Sequence, residues 1–415
     1  MRQTLREDCE WNVARVAPRQ PKIANEVVHL TIVMPCLNEA ETLGVCIKKA
    51  MASIRKSGLN GEVVIADNGS TDGSIEIAEE LGARVVEIEE KGYGNALGGG
   101  IEAARGRWII IGDSDDSYDF ATLEPFIEKL NEGCDLVMGC RMPYGGGTIS
   151  PGAMPWKHRW IGNPALSFIG RLFFSCPVTD FHCGLRAFTR DAFQKMELRT
   201  TGMEFASEMV IKATLKQLQI AQVPITLHKD GRSRPPHLRS WRDGWRHLRF
   251  MLLYSPRWLF LYPGLCLMAF GILAGAWLSL GPQKVGPLVL DVHSLLYAAL
   301  AVLIGFETVS FAVFTKIFAI SSGLLPSDQR FRRWFDYVTL ETGLVVGALL
   351  LVAGLAGSFY AVQLWKGASF GPLEPRHVLR VIIPSITSLA LGAQVVLSSF
   401  FLSVLGLRRQ GQKFE

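Results

Sequence analysis

The sequence predicts an α/β domain on a mostly parallel sheet, followed by an all-α domain of four membrane-crossing helices. Three observations predict it. Strand-like and helix-like segments alternate from His29 to about Thr226, a pace that places helices on both faces of a parallel sheet. Four long apolar stretches follow, each able to cross ~30 Å of hydrocarbon at ~1.5 Å per residue. Composition also divides at about Trp258: charge, Gly and short apolar runs mix before it, and charge nearly vanishes for long stretches beyond it. The 49 % apolar and 20 % charged content of the 415 residues averages over these unlike halves.

Residues 1–28 are polar and show no apolar run ahead of a small-residue cleavage site, so the N-terminal half is expected to stay in the cytoplasm. His29–Met34 is a short apolar, β-prone run, and helical periodicity follows from Asn38 to Arg55. Glu62–Ala66 reads as the second strand, and Ser70 or Asp72 caps a helix through Leu81. Arg84–Ile88 is a third strand, Gly94–Ala104 a helix, and Trp108–Gly112 a fourth strand. Leu136–Gly139 and a helix around Glu208–Leu218 complete the pattern.

Ligands of such sheets gather beyond the carboxyl ends of the strands, and polar motifs stand there. Pro35-Cys-Leu-Asn38-Glu39 ends the first strand and Asp67-Asn68-Gly-Ser-Thr-Asp72 the second. A carboxylate at that place suits a ribose or the N–H edge of a base, and Asn-Gly-Ser-Thr-Asp is equally good turn-and-cap chemistry. Lys91-Gly92-Tyr-Gly-Asn-Ala opens a helix but has Leu97 where a dinucleotide fingerprint needs its third glycine. It still offers backbone N–H groups and a lysine to a phosphate. The fourth strand ends in Gly112-Asp113-Ser-Asp115-Asp116. Clustered carboxylates after a buried strand are costly unless neutralised, and a divalent cation on a diphosphate does this well. Asp113 and Asp115, two apart, reach one ion from one loop; a surface turn with acidic caps is the alternative.

The eight cysteines form no C-x-x-C pair and have no histidine at zinc spacing. Cys36, Cys46, Cys134, Cys140, Cys176 and Cys183 therefore read as small buried or site-lining thiols in a reducing compartment. The net charge is only +5, but arginine accumulates from Arg232 to Arg257, directly before the first apolar stretch. Beside a membrane this patch suits anionic headgroups rather than nucleic acid. Between Leu238 and Tyr254, Leu238, Trp241, Trp245, Leu248 and Leu252 recur at helical spacing with Arg239, Arg242, Arg246 and Arg249 interleaved. This is the pattern of a helix lying in a membrane interface, or of an amphipathic helix packed on the soluble domain.

The expected spans are Trp258–Leu280, Val292–Ile320, Val338–Leu364 and Val378–Leu405. Arg330, Arg332 and Arg333 lie between the second and third, and Arg408, Arg409 and Lys413 follow the fourth. The other loops carry only Lys284, Lys366 and Arg376. This bias puts both termini in the cytoplasm of a multi-pass integral membrane protein, with a bacterial plasma membrane as the expected setting. Glu307 falls near the middle of the second span, where a carboxylate is expected to face a partner helix, a polar cavity or a lipid headgroup. Lys316 and Glu341 sit near the cytoplasmic ends. Nothing in the pattern forbids a homo-oligomer.

Taken in order, Pro35/Asn38-Glu39, Asp67-Asn68, Lys91-Gly92, Asp113-Ser-Asp115 and Thr179-Asp180-Phe-His-Cys-Gly184-Leu-Arg186 resemble the motifs of family two inverting glycosyltransferases. The likeness is greatest to polyprenyl-phosphate (dolichol-phosphate) hexose synthases and spans about Leu30 to Arg234. It implies a GT-A fold, Rossmann-like, in residues 29–228, a basic loop and interface helix in 229–256, and a membrane domain in 257–415. It implies that Pro35, Asn38, Glu39, Asp67 and Asn68 hold the nucleoside of a UDP- or GDP-sugar, with Lys91, Gly92 and Asp113 near the donor. Asp113 and Asp115 would bind Mg²⁺ or Mn²⁺, Asp115 and Asp180 would be catalytic with Arg186 nearby, and Arg232 and Arg234 would meet acceptor phosphate. Two features depart from that pattern: Asn68 stands where many relatives have a second Asp, and Ser117 where a third metal-coordinating side chain falls. The absence of a Q-x-x-R-W motif favours a single transfer over polymerisation. The acceptor expected is polyprenyl phosphate, which needs little general-base help because its second pKa is ~6. A diacylglycerol or other lipid hydroxyl is the alternative, and would require Asp180 as a base. A non-catalytic membrane scaffold or lipid transporter is the alternative of another class.

Overall fold

A computed structural model describes residues 27–233, 240–322, 325 and 339–411, the side chains of residue 240 and residues 406–411 excepted. The chain divides between Met251 and Leu252 into two compact units.

The first unit runs β1 (Leu30–Cys36), α1 (Leu43–Ser57), β2 (Gly61–Asp67), α2 (Ser74–Glu80), β3 (Arg84–Glu87), α3 (Tyr93–Ala103), β4 (Trp108–Ile111) and α4 (Glu124–Asn131). It continues through β5 (Leu136–Cys140), β6 (Thr148–Ile149), α5 (Asn163–Phe174), β7 (Arg186–Thr189), α6 (Arg190–Met196), α7 (Phe205–Leu215), β8 (Ile220–Pro224), β9 (Thr226–Leu227) and α8 (Ser240–Leu253). The main sheet has the order β3-β2-β1-β4-β7-β5-β8. All its pairings are parallel except those of β7, which runs antiparallel between β4 and β5. This is the mixed, mostly parallel GT-A architecture. β1 and β4 are apolar and buried along nearly their whole length, as strands covered on both faces must be. Helix α1 buries Leu43, Cys46, Ile47, Ala50 and Ile54, a stripe at three- and four-residue spacing. The same core continues through Phe120, Phe126 and Leu130.

The second unit contains α9 (Tyr262–Ser279), a hairpin of β10 (Gln283–Val285) and β11 (Leu288–Leu290), α10 (Val292–Ser321), α11 (Leu340–Gly367) and α12 (Pro375–Gly411). Among the described residues, four helical stretches are long and apolar enough to cross a membrane: Arg257–Ser279, Val292–Ser321, Leu340–Gly367 and Pro375–Leu405. The helices pair through small residues. A Cβ at Gly271 would lie 2.6 Å from the Ala298 carbonyl across α9 and α10, and one at Gly354 would lie 2.8 Å from the Ser385 carbonyl across α11 and α12. Such backbone approach is how helices associate where apolar burial gives no net drive. The buried Asp291 ahead of α10 pairs with Arg380 and, at 3.4 Å, with Arg376 of α12. Glu307 is exposed on the surface of this unit among the described residues.

Candidate active site

β1 and β4 are neighbours although β2 and β3 separate them in sequence, so the chain changes direction across the sheet between them. Loops leaving such a pair diverge and open a crevice at their carboxyl ends. Two hydrogen bonds tie the loops together: Ser114 Oγ donates to the Pro35 carbonyl at 2.7 Å, and Thr42 Oγ1 to the Ser114 carbonyl at 2.7 Å. Asn38 adopts a left-handed φ of 58°. Its Oδ1 accepts from Thr71 N at 2.7 Å and its N–H donates to Ser70 Oγ at 2.9 Å, so it joins the first two loops. Glu39 is buried beside them, its N–H donating to Ser74 Oγ at 2.9 Å.

Asp67 is built as a receptor. Oδ2 accepts from Gly69 N and Ser70 N at 2.8 and 2.9 Å, while Oδ1 is buried with no partner among the described residues. A buried acceptor oriented this way fits the N–H edge of a base or a ribose hydroxyl. Asn68 has another task. Nδ2 donates to the Ile88 and Glu90 carbonyls at 3.0 and 2.8 Å, Oδ1 accepts from Gly92 N at 2.8 Å, and the Lys91 ammonium donates to its carbonyl at 2.5 Å. An aspartate could not donate to those two carbonyls, which explains the amide at this position.

The backbone amides that follow Lys91 correct a second expectation. Gly94 N and Asn95 N both donate to the Thr201 carbonyl, at 3.0 and 3.3 Å, so they are not bare donors for a phosphate. Gly92, at φ 142°, passes so close to this loop that a Cβ would stand 2.4 Å from the Thr201 oxygen. The loop is anchored in turn by Glu208, which accepts from Arg199 N, Thr200 N and Thr200 Oγ1 and pairs with Lys212 at 2.7 Å.

Asp113 and Asp115 leave β4 at the centre of the crevice. Burial and the neighbouring Asp115 charge push the Asp113 carboxyl up to about 6, and Tyr93 Oη donates to its Oδ1 at 2.9 Å. Asp115 accepts from Ser117 N and Oγ at 3.0 and 2.5 Å, so Ser117 supports the carboxylate. Arg232 lies between Asp115 and Glu39, 3.1 Å from the latter, and Gly231 N donates to the Asp115 carbonyl at 3.0 Å. Two hard carboxylates that repel one another and already attract a guanidinium fit a divalent cation. Among the described residues no group of three His, Cys, Asp or Glu side chains converges on one point, so further donors would be substrate oxygens or water. Arg234 lies outside the described residues.

The Thr179–Arg186 segment borders the acidic loop at Gly184, where a Cβ would stand 2.7 Å from Asp113 Oδ2. Asp180 is fully buried and gripped by Arg141. Oδ2 accepts from Arg141 N and Nε at 3.0 and 2.8 Å, and Oδ1 from a terminal guanidinium nitrogen at 2.8 Å. Burial pushes this carboxyl up, but the Arg141 charge and hydrogen bonds more than reverse that and leave it below the ordinary carboxylate range. Arg186, expected near the acceptor, is buried with its donors on the Cys183, Ala206 and Phe181 carbonyls at 2.8, 2.6 and 3.0 Å. The structure therefore gives it the position of a staple holding the motif to α7. Sequence reasoning missed Tyr93, Arg141 and Tyr118, whose hydroxyl accepts from Gly184 N at 2.8 Å. The only signal for Arg141 was a lone arginine directly after a buried strand. Burial pushes the Cys36 thiol up to about 11 and those of Cys46 and Cys183 up to about 12, which leaves these three thiols unreactive.

Two family descriptions match the chain: Glycosyl transferase family 2 over residues 31–197, and Glycosyltransferase family 2 C-terminal transmembrane region over residues 313–406. The chain is 38 % identical over 379 residues to the low-salt glycan biosynthesis hexosyltransferase Agl6 of Haloferax volcanii, covering 91 % of this chain and 89 % of that one. It is 33 % identical over 198 residues to a dolichyl-phosphate hexose transferase of the same organism, covering 47 % and 81 %. Among solved structures, glucosyl-3-phosphoglycerate synthase of Mycobacterium tuberculosis matches at 23 % identity and a TM-score of 0.40, covering 54 % of this chain and 77 % of that one.

Proposed function

The chain belongs to glycosyltransferase family 2 and carries that family's C-terminal transmembrane region; we propose that it transfers a hexose from a nucleotide-sugar to polyprenyl phosphate. The donor is a UDP- or GDP-sugar, the anomeric centre inverts, and transfer takes place at the cytoplasmic membrane face. Similarity to a hexosyltransferase of glycan biosynthesis and to a dolichyl-phosphate hexose transferase supports this. In this reading residues 29–228 are the catalytic domain, 229–256 the basic loop and interface helix, and 257–415 the membrane domain.

The observation that carries the reading is the contact of Asp113 with Gly184, which sets the acidic loop against the Asp180 motif. Asp67 Oδ1 takes the nucleoside, with Pro35, Asn38, Glu39 and Asn68 shaping its loops and Lys91 clamping the Asn68 turn. Asp113 and Asp115 would hold Mg²⁺ or Mn²⁺, which when bound neutralises the diphosphate as it leaves. Arg232 moves from Asp115 and Glu39 to phosphate oxygens as the donor arrives, keeping positive charge over the departing group. Asp180, ion-paired on both oxygens, makes a poor proton acceptor. This favours a phosphate acceptor, already largely dianionic at neutral pH, over a lipid hydroxyl. Asp180 and Arg141 then orient the acceptor.

The experiment compares Asp115→Asn and Asp180→Asn in purified full-length protein. Asp115→Asn is expected to abolish transfer. Asp180→Asn should lose less than the ~10²-fold that removal of a general base costs. Total loss in both would contradict the orienting role.

A further inference from the structure

Helix α8 has a second face that its apolar pattern does not reveal. Trp241 and Trp245 point outward, 93 % and 59 % exposed, with Arg242, Arg246 and Arg249. The opposite face buries Asp243, His247, Phe250 and Met251 at helical spacing. A buried imidazole needs a polar partner. His247 Nδ1 lies 2.8 Å from the Oγ of Ser207, a fully buried residue in the first turn of α7. The same hydroxyl lies 3.4 Å from His182 Nε2, and the two imidazoles meet edge to face with centroids 4.5 Å apart. A hydroxyl can accept from one neutral ring and donate to the other, and burial keeps His247 neutral down to about 4, although Asp243 pulls the other way.

This contact ends at the acceptor side of the site. His182 is two residues from Asp180 in the same motif, and its backbone amide helps hold the Asp180 carboxyl below its ordinary range. Arg186 ties the same motif to the same turn of α7 through the Ala206 carbonyl. Phe250 and Met251 already fill the apolar part of the α8 interface, so the histidine adds a directional bond where packing alone would take another apolar residue.

We propose that His247 is a positioning residue for transfer: through Ser207 and His182 it places Asp180, so that α8 governs how the acceptor is engaged. This rests on the reading of Asp180 as an acceptor-side residue. The proposal makes the donor half of the site, built on Asp67 and Asp113, independent of His247.

The test uses full-length protein in vesicles containing anionic lipid. His247→Leu fills the volume without the hydrogen bond, and His247→Asn keeps a polar atom near the Nδ1 position. Acceptor and donor KM, kcat, and amide hydrogen exchange over residues 179–186 and 67–70 are measured. The expected result for His247→Leu is an acceptor KM raised ~10-fold with donor KM within about twofold, and faster exchange in 179–186 but not in 67–70. His247→Asn should recover most of the change. Unchanged acceptor KM and exchange in His247→Leu would overturn the proposal. So would equal loss in donor and acceptor KM with faster exchange in both segments and no rescue by Asn, since that is general loosening. If the wild type glycosylates no polyprenyl phosphate, the function reading fails, while the exchange comparison still decides the coupling.

Discussion

Asn68 uses both ends of its amide, donating to the Ile88 and Glu90 carbonyls and accepting from Gly92 N. Asn68→Asp would set a carboxylate against two carbonyl oxygens in a largely buried loop. We expect it to destabilise the protein by ~1–3 kcal/mol, the cost of unmade buried hydrogen bonds, visible as a lower unfolding temperature. A departure from the family pattern thus has a local cause that only the fold exposes, because its partners lie twenty residues further along. The place of Asp113 and Asp115 at the crevice was legible in the sequence, since a loop that follows a buried apolar strand opens at the carboxyl end of the sheet. Tyr93 and Arg141 were not: a tyrosine in a glycine-rich turn and a single arginine acquire meaning only from carboxylates 20 and 39 residues away. His247 adds a pH signature. Its ring is held at about 4 in the folded protein against an ordinary 6.5, so the unfolded chain binds the extra proton between those values. The His247 contribution to stability is therefore complete above 6.5 and is lost as pH drops through 6.5 toward 4. Replacing His247 by Asn should lessen the fall in unfolding temperature across that window without removing it, since burial also holds the neighbouring His182 ring well below its ordinary value; an unaltered slope would assign the acid sensitivity elsewhere.

Strands and helices with strong periodicity were readable at the element scale. The second expected strand, Glu62–Ala66, lies inside β2, and the expected helix from Leu238 to Tyr254 contains α8. β7 escaped because its four residues, Arg186–Thr189, begin within a motif read for its chemistry, and their apolar content is small. Its antiparallel insertion between β4 and β5 brings the Asp180 segment beside the acidic loop. The inner face of α8 was missed for a related reason: Asp243 and His247 look like solvent-facing residues until their partners are known. In the membrane unit the glycines set helix spacing. Gly354→Leu would drive side-chain atoms into Leu389, already 2.6 Å from a Cβ there, and into the Ser385 carbonyl. We expect it to lower the unfolding temperature in detergent, whereas Gly367→Leu, with nothing within 4 Å of its Cβ, should leave it unchanged. Equal behaviour of the two variants would show that α11 and α12 do not pack through this seam.

At the scale of the whole molecule, the crevice at the β1/β4 switch point, proposed here for a nucleotide-sugar, belongs to a chain whose described residues include four helices long and apolar enough to cross a membrane. The halves were visible in composition, because burying parallel strands and crossing hydrocarbon demand different residue patterns. The sugar was not, since it depends on groups that no motif separates. The central claim is that the acceptor is a lipid phosphate, and product chemistry tests it most directly. Purified protein with Mg²⁺ or Mn²⁺ is given labelled UDP- and GDP-sugars together with either polyprenyl phosphate or diacylglycerol, and the extracted lipid is counted. Label in a polyprenyl-phosphate sugar, lost with chelator and with Asp115→Asn, is the predicted result. Label only in glycosylated diacylglycerol would contradict it and make Asp180 a base in spite of its pairing with Arg141.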